Sequence, residues 1–392
     1  MQWSNRAMLN WLIENISDSG GIMKELRKIR LGELVDFQTG PFGTQFSASE
    51  YVNEGIPVIN VKNIGVGMVI RENLDYISEQ TRDRLSQHIL KTGDIVFGRK
   101  GSVDRHAYIF QNENGWVQGS DCIRARKKTP VNMLFLSQYL EGNGVKKQII
   151  NAAVGSTMPS LNTDILKDIT VLLPNIEEQN RISVALKKID DKICLNSKIN
   201  DNLEQQMHLI FENMMAKAAT HKLSGKYTIA QNLATVVTGK EDANFSVPNG
   251  KYKFFTCSNT PLSCDEYAFD ASSILIAGNG DFNVKHYSGK FNAYQRTYVL
   301  TPDKKYFGLL YLASLYRINS FKSRSSGSIV KFITKSDVEN IPVFIPNDRF
   351  YLQELNKLIY LQEQNKLENE LLVNLRDWLL PMLMNGQATI SD

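Results

Sequence analysis

The sequence predicts an α+β fold: two mixed α/β modules separated by two long helices that pack together as an antiparallel coiled coil. Three observations lead to this prediction. The chain has 392 residues, which is too long for one ordinary core. The passage "GSTMPSLNTDILKDITVLLP" at 155–174 returns as "GSIVKFITKSDVENIPVFIP" at 327–346. Each copy leads into a stretch with helical periodicity, so we expect an internal pseudo-two-fold repeat.

The repeated passage agrees in pattern more than in letters. Each copy runs from a Gly-Ser turn through a short helix-like stretch into a β-rich run that ends on proline, at Pro174 and Pro346. A purely structural turn is the favoured reading of the Gly-Ser pairs, with a phosphate contact as the alternative. We interpret the passage as the end of each module, where the chain turns into the long helix.

The first long helix is predicted from about 177 to 215, roughly 57 Å at 1.5 Å per residue. This stretch lacks Gly and Pro and carries apolar residues at alternating steps of four and three, with asparagines in the seam. Adding 172 to the seam positions reproduces the stripe near the C-terminus, and Pro381 should end or bend that second helix. The alternative is that each helix packs only into its own module. The predicted packing residues are Ile182, Leu186, Ile189, Ile193, Asn196, Asn200, Leu203, Leu358, Leu361, Asn365, Leu372, Leu375 and Leu379.

The modules show short β-like runs, such as "IPVINV" at 56–61 and "SILIAG" at 273–278, separated by Gly/Asn/Asp turns and followed by a short helix. Together these patterns divide the chain into six parts. The predicted parts are an N-terminal extension of uncertain role (1–22), module one (23–174), the central long helix (175–215), a linker (216–226), module two (227–346) and a C-terminal long helix with its tail (347–392).

Charge is distributed unevenly along the chain, although the net charge is only +4. Residues 285–335 contain ten Lys/Arg and one acid, and residues 98–147 contain nine and four. Both helical stretches are mildly acidic. Basic blocks with interspersed aromatic residues are typical of proteins that bind polyanions such as nucleic acids. A solvated basic face without a partner is the alternative for either block alone.

Motifs of catalysis and of metal binding are missing from the sequence. The phosphate-loop order GxxxxGK[ST] and the GxSxG elbow do not occur, and the five histidines show no metal-ligand spacing. We therefore predict no catalytic residue, no metal ligand and no cofactor bound by this chain. Four cysteines without CxxC spacing, no apolar run long enough for a membrane and no secretory signal favour the cytoplasm.

Several motifs in a fixed order resemble the specificity subunit of type I DNA restriction–modification systems. They are "LGELVDFQTG" (31–40), "GIPVINVKNI" (55–64), "LKTGDIVFGRKGS" (90–102), "LKDITVLLPNIEEQNRISVALKKIDDKICLNSKINDNLE" (166–204) and "LRDWLLPMLMNGQ" (375–387). The resemblance implies that each module is a target-recognition domain for double-stranded DNA and that the helices seat modification (methyltransferase) subunits. It also implies a restriction subunit as partner, with S-adenosylmethionine, ATP and Mg used by the partners. Residues 1–22 precede the part that resembles the family.

Within the two modules, basic and amide side chains are the candidate DNA contacts, since Lys and Arg bind phosphates and Arg, Asn and Gln also read base edges. Two different modules would read an asymmetric, bipartite target, with the helices setting the gap between its halves. A stand-alone DNA-modifying enzyme with diverged motifs and a protein-binding scaffold are the alternatives. The candidate contacts are Arg99, Lys100, Arg105, Arg124, Arg126, Lys127, Asn279, Asn283, Lys285, His286, Lys290, Gln295, Arg296, Lys322, Arg324 and Lys331.

Overall fold

The computed structural model describes residues 16–18, 26–155, 159–280, 282–324 and 332–390. It divides into two compact units, residues 1–191 with 372–392 and residues 192–371. Of the predicted extension 1–22, only strand 16–18 lies within the described residues; it pairs antiparallel with strand 388–390.

The first unit contains a five-stranded sheet in the order β3-β11-β8-β9-β6, a four-stranded sheet in the order β10-β5-β7-β4, and the pairs β1-β21 and β2-β12. The four residues of β8 are all buried, as expected of a central strand covered on both faces. Numbered along the whole chain, its strands are β1 (Ile16–Asp18), β2 (Arg27–Arg30), β3 (Val35–Thr39), β4 (Tyr51–Val52), β5 (Ile56–Ile59), β6 (Val66–Gly67), β7 (Asp75–Ile77), β8 (Ile95–Gly98), β9 (His106–Tyr108), β10 (Val117–Gln118), β11 (Cys122–Lys127), β12 (Thr170–Leu173) and β21 (Ala388–Ile390). Its short helices are α1 (Leu31–Leu34), α2 (Glu79–Arg84), α3 (Met133–Leu140), α4 (Asn143–Ala152) and α5 (Thr163–Asp168).

The second unit contains a six-stranded sheet in the order β14-β19-β17-β18-β15-β16 and the pair β13-β20. Apolar residues of the central strand β17 (Phe269–Ala277), including Ile274 and Ile276, lie in one buried cluster with Leu309 and Leu312 of helix α7 (Phe307–Arg324). Its elements are β13 (Gly225–Ile229), β14 (Ala234–Thr238), β15 (Tyr252–Phe255), β16 (Leu262–Cys264), β17 (Phe269–Ala277), β18 (Val284–Ala293), β19 (Thr297–Pro302), β20 (Pro342–Pro346), α7 (Phe307–Arg324) and α8 (Lys335–Glu339).

The repeated passage has the same structural role in both units. It ends as β12 or β20, and each of these strands pairs antiparallel with the first strand of its own module, β2 or β13. The chain then leaves the module and enters a long helix. The last strand of a module therefore lies beside its first, which brings the two ends of the module together before the helix begins.

The central helix α6 (Ile176–Ala219) has 44 residues and the C-terminal helix α9 (Arg349–Met384) has 36. Helix α9 contains Pro381 and ends three residues after it. Residues 216–219 of the predicted linker belong to α6, and residues 225–226 belong to β13.

In the second unit the two helices are antiparallel partners. Asn196 Nδ2 donates to Glu368 Oε2 at 2.7 Å and to Asn369 Oδ1 at 2.9 Å. Asn365 Nδ2 donates to Asn200 Oδ1 at 3.0 Å, so the residue number rises along one helix as it falls along the other. Such polar pairs within a seam disfavour other registers.

Most predicted seam residues are buried or partly buried along the helices. Leu361 is the exception, at 41% exposure, and the neighbouring Gln362 is buried instead. Gln362 Nε2 donates to the carbonyl of Asn200 at 3.4 Å. The offset of 172 therefore misplaces one seam position. The predicted residues that are buried are Ile182, Leu186, Ile189, Asn196, Leu203, Leu358, Leu372 and Leu379, and those that are partly buried are Ile193, Asn200, Asn365 and Leu375.

The helices also contribute to the core of the second unit. Met207 and Phe211 of α6 share one buried cluster with Leu355 and Ile359 of α9 and with the sheet residues. In this unit, helix pairing and packing into the module therefore occur together.

Candidate nucleic-acid interface

In the first unit, three backbone hydrogen bonds join four connecting segments at one end of the five-stranded sheet. Gly40 N, just after β3, donates to Cys122 O at 2.8 Å. Arg99 N, just after β8, donates to Asp121 O at 2.8 Å, and Leu161 N donates to Arg99 O at 2.8 Å. We call this the first loop end: residues 40–50, 99–105, 119–121 and 153–155 with 159–161.

The second unit builds the same arrangement with the same bonds. Gly239 N donates to Thr297 O at 3.0 Å, and Gly278 N donates to Arg296 O at 2.8 Å. Ile333 N donates to Gly278 O at 2.9 Å, and this residue lies 172 positions after Leu161, the spacing of the repeated passage. The second loop end consists of residues 239–250, 278–280, 282–283, 294–296 and 332–334.

Glycine is required where two of these segments cross. A Cβ on Gly40 would overlap the carbonyl oxygen of Gly119, and a Cβ on Gly239 would overlap that of Ala293. Backbone carbonyls cannot rotate away as a flexible side chain can, so any other residue would force the segments apart. Backbone contacts thus build both loop ends, and the side chains that they display are left free to differ.

Three of the predicted DNA contacts lie together at the first loop end. Lys100 is exposed, with its Nζ 3.6 Å from Asp121 Oδ1, and Arg99 is partly buried beside it. Arg105 donates to the hydroxyl of Ser102 in the same loop. The turn after β8 therefore gathers three positive charges within seven residues.

The other predicted contacts of this unit lie along β11 instead. Arg124 is buried and donates to Gln38 Oε1 at 2.5 Å; burial, followed by the neighbouring Arg126 charge, lowers its pKa. Arg126 pairs with the buried carboxylate of Asp94 at 2.6 Å. Both guanidinium groups thus donate to acceptors inside the protein, whereas Lys127 is exposed.

At the second loop end the structure brings together four predicted residues. Gln295 and Arg296 are exposed and Asn279 is partly buried. Asn283 Nδ2 donates to Cys257 O at 2.8 Å, which ties its loop to the end of β15. A cavity of about 270 Å³ lies between these segments, lined by Gly278, Gln295, Arg296, Tyr298, Phe332 and Ile333.

Strand β18 carries three further predicted contacts. Lys285 is partly buried and its Nζ donates to the carbonyls of Thr256, at 3.3 Å, and Ser258; burial lowers its pKa. Lys290 is exposed, 4.6 Å from the centre of the Tyr267 ring.

The third, His286, is buried against helix α9. Its Nδ1 lies 3.0 Å from Glu363 Oε1 and its Nε2 lies 2.9 Å from Gln362 Oε1. We therefore expect it to hold the sheet on the helix rather than to meet a ligand. Lys322 and Arg324 fall in α7 without described side chains, and Lys331 lies outside the described residues.

Charge counting along the sequence overlooked several residues of the loop ends. Phe42 is 61% exposed at the first, and Phe332 is 66% exposed at the second. Lys240 is exposed directly after Gly239, and Asp121 lies at the first loop end. The Gly-Lys pair was a usable signal, because a glycine after a strand marks a turn. Phe42, Phe332 and Asp121 carry no positive charge, so a count of basic residues could not find them.

The paired helices of the second unit also expose apolar side chains away from their seam. Tyr360, Leu367 and Leu371 of α9 are 59%, 52% and 54% exposed. Their spacing of seven and four places them on one face of the helix. Leu195 and Leu209 of α6 are similarly exposed, at 52% and 66%. Several large exposed apolar side chains on one helix face are typical of a protein–protein contact.

The part of the chain that the structure describes has neither a metal-binding cluster nor a membrane-spanning helix. Within it, no group of three or more His, Cys, Asp or Glu side chains is arranged to hold a metal ion. No helix in the described part of the chain is long and apolar enough to cross a membrane.

Comparison with known proteins gives a family match over most of the chain. The model of the type I restriction modification DNA specificity domain matches residues 23–205 and 228–373. The specificity subunit of the type I restriction enzyme EcoDI from Escherichia coli is 37% identical over 164 residues, covering 40% of this chain and 37% of that protein. The MjaVIII specificity subunit from Methanocaldococcus jannaschii is 27% identical over 202 residues, covering 48% and 45%. The matched part thus spans less than half of the length of these two relatives.

Among solved structures, the S subunit of a type I restriction-modification system from M. genitalium has a similar fold. It superposes with a TM-score of 0.62 at 17% sequence identity, covering 92% of this chain and 96% of that one. At this identity the likeness concerns the fold, namely mixed α/β with two sheet-rich domains and a long helix between them.

Proposed function

The chain belongs to the type I restriction modification DNA specificity family, and on that basis we propose that it is the DNA-specificity subunit of a type I restriction–modification complex. Each module reads one half of a bipartite, asymmetric target through its loop end. The two relatives described above carry the name of specificity subunits of type I restriction enzymes, which supports this proposal.

The observation that carries the proposal is the loop end built twice with different side chains. The same three backbone bonds recur in both units, while the residues at equivalent positions change from Lys100 and Asp121 to Asn279 and Arg296. A constant backbone arrangement with different side chains allows a protein to read two different DNA sequences with the same docking geometry. Exposed basic residues supply phosphate contacts, and amide and guanidinium groups read base edges.

The remaining basic candidates divide by their surroundings. Lys127 and Lys290 are exposed but lie on β11 and β18 away from the loop ends, whereas Arg124, Arg126 and Lys285 already bond to protein acceptors. We assign the latter three to shaping the module.

The long helices are assigned two further roles. They set the distance between the two half-sites, and their exposed apolar faces, such as that of Tyr360, Leu367 and Leu371, dock the methyltransferase subunits. We propose residues 23–174 and 227–346 as the two target-recognition domains; the family model matches the longer ranges 23–205 and 228–373, which extend into the long helices.

This subunit is proposed to be non-catalytic and to act in the cytoplasm. Methyl transfer from S-adenosylmethionine belongs to the modification subunits, and ATP- and Mg-dependent cleavage belongs to the restriction subunit. Purified chain alone, incubated with labelled S-adenosylmethionine and DNA, should therefore transfer no label. Transfer by the chain alone would favour the stand-alone enzyme.

DNA binding is tested by the salt dependence of affinity. Full-length chain should bind duplex DNA with a logarithmic affinity that falls linearly with logarithmic salt concentration, by about 0.9 for each phosphate neutralised. Replacing Arg99, Lys100 and Arg105 together by glutamine should reduce both affinity and slope. The same change at the exposed helix residues Lys188 and Lys198 is the control and should alter neither.

A chain that binds acidic proteins as tightly as DNA, or a slope that the triple variant leaves unchanged, would contradict this function. Mapping the methylated sites in cells that express the complex then gives the target, which should be split into two unlike halves. A continuous or palindromic target would contradict the division of reading between two modules.

A further inference from the structure

Each loop end has a turn at the equivalent position, and the two turns carry side chains of opposite charge. In the first unit the turn 119–121 precedes β11, and Asp121 O accepts from Arg99 N. In the second unit the turn 294–296 precedes β19, and Arg296 O accepts from Gly278 N. Asp121 and Arg296 are therefore equivalent in the backbone, although one side chain is a carboxylate and the other a guanidinium.

Both side chains are available to a ligand. The Asp121 side chain is 52% exposed, and its nearest charged partner is the Lys100 ammonium at 3.6 Å. Arg296 is exposed at the rim of the cavity of about 270 Å³. Neither side chain is engaged in a hydrogen bond to the part of the chain that the structure describes.

A carboxylate at a DNA-facing loop end has a narrow range of uses. It repels phosphates, so it cannot serve as a positioning contact as the neighbouring Arg99 and Lys100 can. It accepts hydrogen bonds and donates none when ionised, and the major-groove donor that suits it is the N4 amine of cytosine. A guanidinium donates only, and its two parallel N–H groups match O6 and N7 of guanine.

We infer that these equivalent turns are the base-reading turns of the two modules. Asp121 selects a cytosine in the half-site of the first module, and Arg296 selects a guanine in the half-site of the second. This inference rests on the proposed DNA recognition and adds to it the position and the chemistry of one contact in each half. Exchange of one turn residue would then change one letter of one half-site.

The test is selection from a pool of randomised DNA duplexes by the full-length chain, followed by sequencing of the bound fraction. Asp121→Asn should lose preference for cytosine at one position and move it towards adenine, because an amide pairs with adenine N6 and N7. Arg296→Gln should move one guanine towards adenine in the other half-site. Each change should reduce the original discrimination by roughly 5- to 150-fold, as expected for one bidentate or charged base contact.

Two exposed residues away from the loop ends provide matched controls. Asp36 lies on β3 with its carboxylate 3.8 Å from Lys128, much as Asp121 lies near Lys100. Lys305 lies just beyond the far end of β19 from Arg296. Asp36→Asn and Lys305→Gln should leave the selected sequence unchanged.

The outcomes separate the inference from the function on which it rests. A weaker affinity for all sequences with an unchanged consensus would mean that the turns contact phosphates, and would overturn the base-reading role. An unchanged consensus with unchanged affinity would overturn it as well. If the unaltered chain enriches no sequence and shows no salt-dependent binding, the proposed function itself fails.

Discussion

Replacing Glu141 by glutamine should stabilise the first unit at neutral and alkaline pH. Glu141 follows helix α3 and lines a cavity of about 410 Å³ together with Tyr139, Arg376 and Asp377. Burial, followed by the negative charge of Asp190, raises the pKa of Glu141 from its ordinary value of 4.5 to about 7, against the opposing pull of Arg376. The carboxylate is therefore more costly to ionise in the folded chain than in the unfolded one.

The sign of the pH dependence follows from that shift. Between pH 4.5 and about 7 the folded state binds more protons at Glu141 than the unfolded state does. Its contribution to the free energy of unfolding is therefore fully present below pH 4.5 and is lost as the pH rises through about 7. A shift of this size corresponds to about 3 kcal/mol at 1.36 kcal/mol per pKa unit. Because the side chain is partly exposed to water, we expect about 1–2 kcal/mol.

The assay is urea unfolding followed by tryptophan fluorescence at pH 5 and pH 8. Of the four tryptophans, Trp116 and Trp378 lie among the described residues of the first unit, so their fluorescence reports on that unit. Glu141→Gln should exceed the unaltered chain in unfolding free energy by about 1–2 kcal/mol at pH 8, and by much less at pH 5.

Glu54→Gln makes the same chemical change at an exposed residue and should leave the pH dependence as it was. A Glu141→Gln chain that is no more stable than the original at pH 8 would refute the reasoning. So would a difference that is equal at both pH values.

Three further predictions concern the helices and the thiols. Asn196→Ala should destabilise the second unit by about 1–3 kcal/mol, because it removes the donor to the carboxylate of Glu368. The measurement is urea unfolding followed by circular dichroism. An unchanged unfolding midpoint would contradict a stabilising role of this hydrogen bond. The exposed Cys194 should react with a maleimide at pH 8 in the folded chain, whereas Cys122, whose pKa burial raises to about 12, should react only on unfolding; equal rates would contradict this. Deleting residues 193–199 together with 365–371 keeps the antiparallel register and shortens both helices by about 10 Å. The unspecified spacer between the two half-sites, read from a methylation map, should then narrow by about three base pairs. An unchanged spacer would contradict the proposal that the helices set its length.

Repetition and periodicity made much of the fold predictable from the sequence. The heptad pattern after Pro174 predicts a long helix, and α6 indeed runs from Ile176 to Ala219. The recurrence at an offset of 172 predicts a second helix and a second module, and Leu161 and Ile333 make the same backbone bond at that offset. Such local patterns can be recognised in the sequence because the residues of each segment largely decide whether it forms a helix or a strand.

Contacts between distant segments were not predictable in this way. Leu361 continues the stripe, yet Gln362 is the buried residue because it meets Asn200 and the imidazole of His286. A count of basic residues likewise treats Arg126 and Lys100 as equal candidates for DNA contact. In the structure, Arg126 forms an ion pair with the buried Asp94, whereas Lys100 is exposed. Their charges are identical in the sequence and differ only in what the fold places beside them.

The sequence by itself determined the order module, helix, module, helix, the doubling of the module and the antiparallel pairing of the two helices. The tertiary structure alone decided which segments meet at each loop end, because the hydrogen bonds donated by Gly40, Arg99 and Leu161 use backbone N–H groups that every residue except proline carries. It also decided that Asp121 and Arg296 are equivalent. Backbone hydrogen bonds depend little on side-chain identity, so a site that they build is recognised only in the folded chain.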